Sequence, residues 1–175
     1  MDFPHPTKHE VIAAIRAAFD GVERGAVTLH EADVMDSYGS AEERAAARLL
    51  DTDRVWEQVQ AEDIERFSSA LCFLDAEGFR YYIPAYMVWT LDNETTGASS
   101  RNSTLCRLER LGGRDATAAE RLKLLDDGQR RAIALFLLYF TPDRYDGDDA
   151  RKALERFWGR YLPEKYQPDG GGAAR

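Results

Sequence analysis

Cysteine is nearly missing from this 175-residue chain: Cys72 and Cys106 stand alone, with no C-x-x-C spacing. Two thiols build neither a disulfide framework nor a four-ligand zinc set. Cys72 falls in an apolar run, where a free cysteine is usually a small buried hydrophobe. Histidine is scarce too, with His5, His9 and His30 as the whole supply. His9-Glu10 and His30-Glu31 begin like a zinc-protease helix. That motif needs a second His four residues after the first, and those positions hold Ala13 and Val34. No metal and no cofactor are expected. No serine sits in a G-x-S-x-G turn, and Ser68 and Ser69 fall on a predicted helix, where a hydroxyl bonds back to its own backbone. Neither glycine-rich phosphate motif occurs. The acidic stretch DRYDGDD at 143–149 lacks the alternation of a calcium loop and reads as a solvated turn. Long apolar runs are also wanting: the longest, 132–140, is far too short to span a bilayer. MDFPHPTKHE has neither the basic nor the apolar region of a signal peptide, so the chain is expected to be cytoplasmic.

Negative charge is what the chain has in excess, with 31 Asp and Glu against 23 Lys and Arg. The excess is uneven: residues 1–110 hold 20 acids and 11 bases, whereas residues 111–175 hold 11 and 12. An acidic body argues against nucleic acid, whose binding rests on Lys and Arg neutralising phosphates. It accommodates a basic protein partner, since opposite potentials steer association; the plainer reading is that acidity keeps the protein soluble. Hydrophobic content of 44% and charged content of 31% exclude global disorder. The length fits one domain over residues 1–165, followed by a flexible tail at 166–175.

Helix starts are well marked. Thr7 with Glu10, Thr28 with Glu31, Ser40 with Glu43, Thr117 with Glu120 and Asp126 with Gln129 share the capping-box spacing. The first helix carries Val11, Ile12, Ile15, Ala18 and Phe19 on one stripe. Two short helices are predicted at 28–37 and 41–50, and Ile64, Phe67, Ser68, Leu71 and Leu74 fit another helical period. Residues 92–104, DNETTGASSRNST, read as a polar surface loop. Asp148 can cap a last helix that carries Ala150, Leu154, Phe157 and Trp158.

The centre of the fold is the nearly unbroken apolar run at 67–91. Asp75 either caps a helix carrying Phe79, Tyr82, Ile83 and Tyr86, or sits at the tip of a hairpin over 71–83. Pro84 opposes a central strand and an unbroken helix alike, so a helix kinked or restarted there is preferred. The expected architecture is mainly α, one compact domain of six to eight helices. Residues 75–91 and 127–140 would pack together at its centre, since helices apolar all round are buried ones. The alternative is α+β with the hairpin.

Arg80 is the residue that asks for an explanation, because its guanidinium stays charged inside an apolar segment and must reach water or a carboxylate. Glu77 and Asp75 are the local candidates. In one reading Arg80, Tyr81, Tyr82 and Tyr86 line a pocket or partner surface. In the other Arg80 is a staple that snorkels outward or pairs in the core, with Asp75, Glu77, Pro84 and Trp158 as structural residues. If Arg80 pairs with a buried carboxylate, Arg80→Ala costs about 3–5 kcal/mol. A change at Glu94, in the polar loop, costs less than about 0.5 kcal/mol.

LCFLDAEGFRYYIPAYMVWTL resembles the signature of a bacterial family of unknown function, numbered six-seven-one-four, whose members read like LxFLSPEAFRYYLPAYL. Residues 124–133 and 136–139 resemble its second block, and residues 153–158 its third, so the likeness covers about 55–158. Asp75-Ala76 stand where Ser/Thr-Pro is usual, and Gly78 where Ala is usual. A proline there is a helix-start residue, so the resemblance implies a helix; Gly78 would weaken it by about 1 kcal/mol. It implies no activity. The leading expectation is a non-catalytic acidic adaptor or immunity-type binder of a basic partner, without nucleic acid or membrane. The alternative is a small-molecule-binding protein or enzyme with a pocket at Arg80 and its tyrosines.

Overall fold

The structure, a computed structural model, describes residues 4–94, 98–113, 116–144 and 147–167. Helix α1 (Lys8–Phe19) starts at a complete capping box, with Thr7 N–H donating to Glu10 at 2.8 Å and Glu10 N–H to Thr7 Oγ1 at 3.2 Å. The bonds that its carboxylate accepts from the Thr7 N–H, the Thr7 hydroxyl and Lys165 lower the Glu10 carboxyl to about 2. Val11, Ile15 and Phe19 recur at helical spacing and bury fully. Then come α2 (Leu29–Asp36), α3 (Ala41–Arg48), α4 (Ala61–Arg66), α5 (Ala76–Asp92), α6 (Ser99–Leu111), α7 (Ala116–Leu124), α8 (Asp127–Phe140) and α9 (Gly147–Arg156). Short 3-10 turns lie at Trp56–Gln58, Ala70–Cys72, Trp158–Tyr161 and Glu164–Tyr166.

No strand occurs among the described residues, so the mainly α reading holds. The hairpin alternative falls, because a 3-10 turn and α5 take up 71–83. Nine α-helices are described, one beyond the expected six to eight. The extra one is α6, which begins inside the stretch read as a polar loop. Its polar residues are half of what buries it: the Ser100 hydroxyl donates to Ile64 O at 2.6 Å, and the Thr104 hydroxyl to Ser100 O at 2.7 Å. Arg101 bonds Asp143 at 2.7 Å and lies over the Phe140 ring. Polar composition hid a packed helix. Glu94 is tied as well, accepting a 2.6 Å bond from the Tyr139 hydroxyl.

Ser40–Glu43 and Asp126–Gln129 also form complete boxes. Thr28 makes no side-chain cap, because Glu31 turns instead to Arg44 and Arg48. Thr117 and Asp148 lie inside α7 and α9 rather than ahead of them. Ser69 is off any α-helix and donates to Asp36 at 2.6 Å. Cys72, expected to be buried, is exposed, because the tight turn at Ala70–Cys72 buries Ala70 and Leu71 and points the third residue outward.

Both central helices are buried as expected, with Phe79, Tyr81, Tyr82, Ile83, Tyr86 and Met87 on α5 and Ile133, Phe136 and Leu137 on α8 at zero exposure. They do not lie side by side; their shared neighbour is α1, which packs on each. Helix α5 runs through Pro84 without a restart. The ring removes only one ladder bond, and buried neighbours hold the rest. Asp75 caps α5 by accepting from Gly78 N–H at 2.7 Å. Gly78 itself is required by crowding: a Cβ there would lie 2.7 Å from Val27 O, and one on Gly25 the same distance from Glu77 Cβ. Trp158 is fully buried and donates to Leu108 O at 2.8 Å, tying α6 to the C-terminal turns. Of the expected tail, Tyr166 is buried, and 168–175 lie outside the described residues.

Candidate functional site

Two features of the molecule are candidate sites. The first is the α2–α3 hairpin. Glu31 is completely buried, and its carboxylate accepts from Arg44 Nη2 at 3.0 Å and from Arg48 Nε and Nη2 at 2.8 and 2.7 Å. The Arg48 bonds hold this carboxyl below its usual range against the opposing cost of burial. Helix α3 packs chiefly on α2, and of its own residues only Ala47 is buried. Beyond it the surface is apolar: Tyr38 is 97% exposed, Leu49 80%, Leu50 63% and Val55 44%. Tyr38 also holds a left-handed backbone at φ +58°, which costs a non-glycine residue about 1–2 kcal/mol. Charge gathers in the same segment. Residues 20–65 carry 13 Asp and Glu against 4 Arg, so the rest of the chain has one more base than acids.

The second feature is a cavity of about 430 Å³ lined by Asp20, Glu23, Arg24, Glu77, Arg80 and Asp126, among others. Its wall comes from the turn after α1, the first turns of α5 and the cap of α8. Arg80 is partly exposed there. Its Nε donates to Gln129 Oε1 at 3.0 Å, while Asp126 Oδ2 stands 4.0 Å from Nη2. The expected local partners Glu77 and Asp75 are not used; the partner lies 49 residues away. Gln129 is 1% exposed and locked from both ends, because Oε1 also accepts from Asp126 N–H and Nε2 donates to Ala18 O at 3.2 Å. The Asp126–Gln129 capping box was the one sequence signal that could have marked this pair.

The tyrosines singled out with Arg80 do not line that cavity. Tyr81 donates to Asp53 Oδ2 at 2.8 Å and Tyr86 to Phe67 O at 2.7 Å. The Tyr82 hydroxyl is buried with no well-formed hydrogen bond, the Leu29 backbone being the polar group beside it. Burial pushes all three hydroxyls far up, with Asp53, Asp51 and Asp63 the next contributors to Tyr81, Tyr82 and Tyr86 in turn. Tyr81 belongs to a staple that fixes residues 51–53 on α5. In it Arg24 donates to Asp51 O at 2.6 Å and Asp53 O at 3.0 Å, and His30 meets Asp51 through its ring at 2.9 Å and its N–H at 3.0 Å.

A larger groove of about 820 Å³ runs past Leu138, Pro142, Leu154 and Leu162. Polar groups on its rim pair with one another, His5 with Thr141 at 2.9 Å and Gln167 with Leu162 O at 2.8 Å. Among the described residues no group of three or more His, Cys, Asp or Glu is placed to hold a metal. No described helix is long and apolar enough to cross a membrane.

No curated protein and no solved structure matches the chain. One family does, over residues 7–162, which extends the signature region back through α1. The chain belongs to that family, described as "Family of unknown function (DUF6714)".

Proposed function

We propose that the protein is a non-catalytic interaction domain whose α2–α3 face docks a basic, partly apolar protein segment. One observation carries the reading: the segment that holds the chain's acidic excess, residues 20–65, also carries its most exposed large apolar side chains, Tyr38, Leu49, Leu50 and Val55. Acidic surroundings steer a cationic partner inward. Aromatic and aliphatic anchors then supply the binding energy once water is excluded. Tyr38 takes its left-handed backbone to end α2, with its N–H donating to Met35 O at 3.1 Å and Gly39 N–H to Val34 O at 2.9 Å, and this turn leaves the ring to solvent. In this reading the protein works in the cytoplasm without cofactor, nucleic acid or membrane.

The test is an NMR titration of the full chain with an amphipathic Lys/Leu peptide and its Glu/Leu counterpart. The Lys/Leu peptide is expected to shift Tyr38, Leu49 and Leu50, and to bind less as salt rises. The paired change Leu49→Asp and Leu50→Asp should weaken it at least about tenfold, whereas Leu124→Asp, on exposed apolar surface elsewhere, should not. Shifts spread evenly over the acidic surface, or indifference to the paired change, would refute the docking face.

A further inference from the structure

We infer that the Arg80 cavity is a binding site for a basic amino acid or the basic C-terminal residue of a peptide. The ligand class is one carboxylate accompanied by cationic groups. The inference stands apart from the docking face, and either can fail without the other.

The carboxylate half rests on how Arg80 is held. Its Nε is committed to Gln129, which is itself buried and fixed by the α8 cap and by Ala18 O. With Nε so engaged, the two terminal nitrogens make no hydrogen bond among the described residues, and Arg80 lines the cavity. Asp126 Oδ2 stands 4.0 Å from Nη2, an ion-pair distance too long for a hydrogen bond, and its side chain is 59% exposed. The terminal edge of a guanidinium takes a carboxylate through two parallel hydrogen bonds. Lysine, a point charge on a flexible stem, would not reproduce it.

The cationic half rests on the remaining wall. Asp20, Glu23 and Glu77 line the cavity and make no hydrogen bond or ion pair among the described residues. Arg24, the other cation there, donates instead to Asp51 O and Asp53 O. With Asp126 counted, four carboxylates face two guanidinium groups. That surplus opposes phosphate and dicarboxylates, and it suits a molecule whose cations outnumber its single carboxylate. A cavity of about 430 Å³ is within the usual range for small-ligand sites.

L-arginine is the probe, titrated at millimolar concentration into the full ¹⁵N-labelled chain. Agmatine lacks its carboxylate, citrulline lacks its guanidinium charge, and Gly-Gly-Arg carries the same groups at a chain end. L-arginine or Gly-Gly-Arg should shift Gly21, Arg80 and Gln129, and whichever binds tighter identifies a free amino acid or a peptide end as the source. Agmatine and citrulline should each bind at least roughly tenfold more weakly than L-arginine. Arg80→Gln should erase the preference over agmatine. Glu77→Gln, at an exposed site, should narrow the preference over citrulline, and it carries the test if Arg80→Gln does not fold. Agmatine binding as tightly as L-arginine would overturn the inference. So would an absence of shifts at these residues with both L-arginine and Gly-Gly-Arg.

Discussion

Helices α5 and α3 are held by opposite means. Twelve of the 17 residues of α5 are buried, including the rings of Phe79, Tyr81, Tyr82 and Tyr86. Of the eight residues of α3, only Ala47 is. Burying a large apolar side chain contributes about 1.5–3 kcal/mol, so α5 is fixed by many such terms at once. Helix α3 hangs on the Ser40–Glu43 box and on arginine bonds to one buried carboxylate. The contrast separates the part of the molecule that makes the fold from a part that lies mostly at its surface. Surfaces that bind are drawn from the less stable end of a structure.

The largest expected effect probes the stable side. Phe79→Ala should cost about 3–5 kcal/mol in urea unfolding, whereas Leu49→Ala, at an exposed site, should stay within about 0.5 kcal/mol. Equal losses would break the comparison.

Removing both Arg44 and Arg48 strands the Glu31 carboxylate. Because both arginines are themselves more than a third exposed, the cost is discounted to about 2–3 kcal/mol. The pH dependence sharpens this. A carboxyl held below its ordinary value of 4.5 contributes stability above that value and loses it as pH falls through the lower folded value. The gap between wild type and the double variant should therefore narrow in melts below about pH 4.5.

Gly78→Ala reverses a propensity rule. Alanine in an open helix would gain about 1 kcal/mol, but here its Cβ meets Val27 O, so a loss of about 1–2 kcal/mol is expected by denaturant titration. Arg80→Ala follows at about 1 kcal/mol. The 3–5 kcal/mol of a core staple no longer applies, because the partner is a neutral amide and no buried carboxylate is left behind. A loss above about 3 kcal/mol would restore the staple reading.

Tyr82→Phe is the smallest change, within about 0.5 kcal/mol, since its hydroxyl has no well-formed hydrogen bond to lose and only the Leu29 backbone beside it. A phenol whose folded pKa is raised gives stability that is full below its unfolded value near 10 and lost as pH rises beyond it. The variant should accordingly resist alkaline unfolding better than wild type, as followed by circular dichroism.

Features set by neighbours within about four residues were legible from the chain alone. The boxes at Thr7, Ser40 and Asp126 formed because an acceptor and its amide sit three residues apart at a helix start and no distant group draws either away. The burial of α5 and α8 followed from their lack of a polar face. What distant segments decide was hidden. Glu31 forsook the Thr28 box for two arginines on another helix. Ser100, Arg101 and Thr104 carried a helix into the core because Ile64, Asp143 and Ser100 offered them partners. Gly78 gained its reason only when residues 22–27 pressed against α5. Arg80 found Gln129 rather than Glu77, and a cavity rather than its tyrosines, because those depend on where α1 and α8 come to rest. Capping and periodicity are properties of one turn of chain; a polar group's partner, and the space beside it, are properties of the packing.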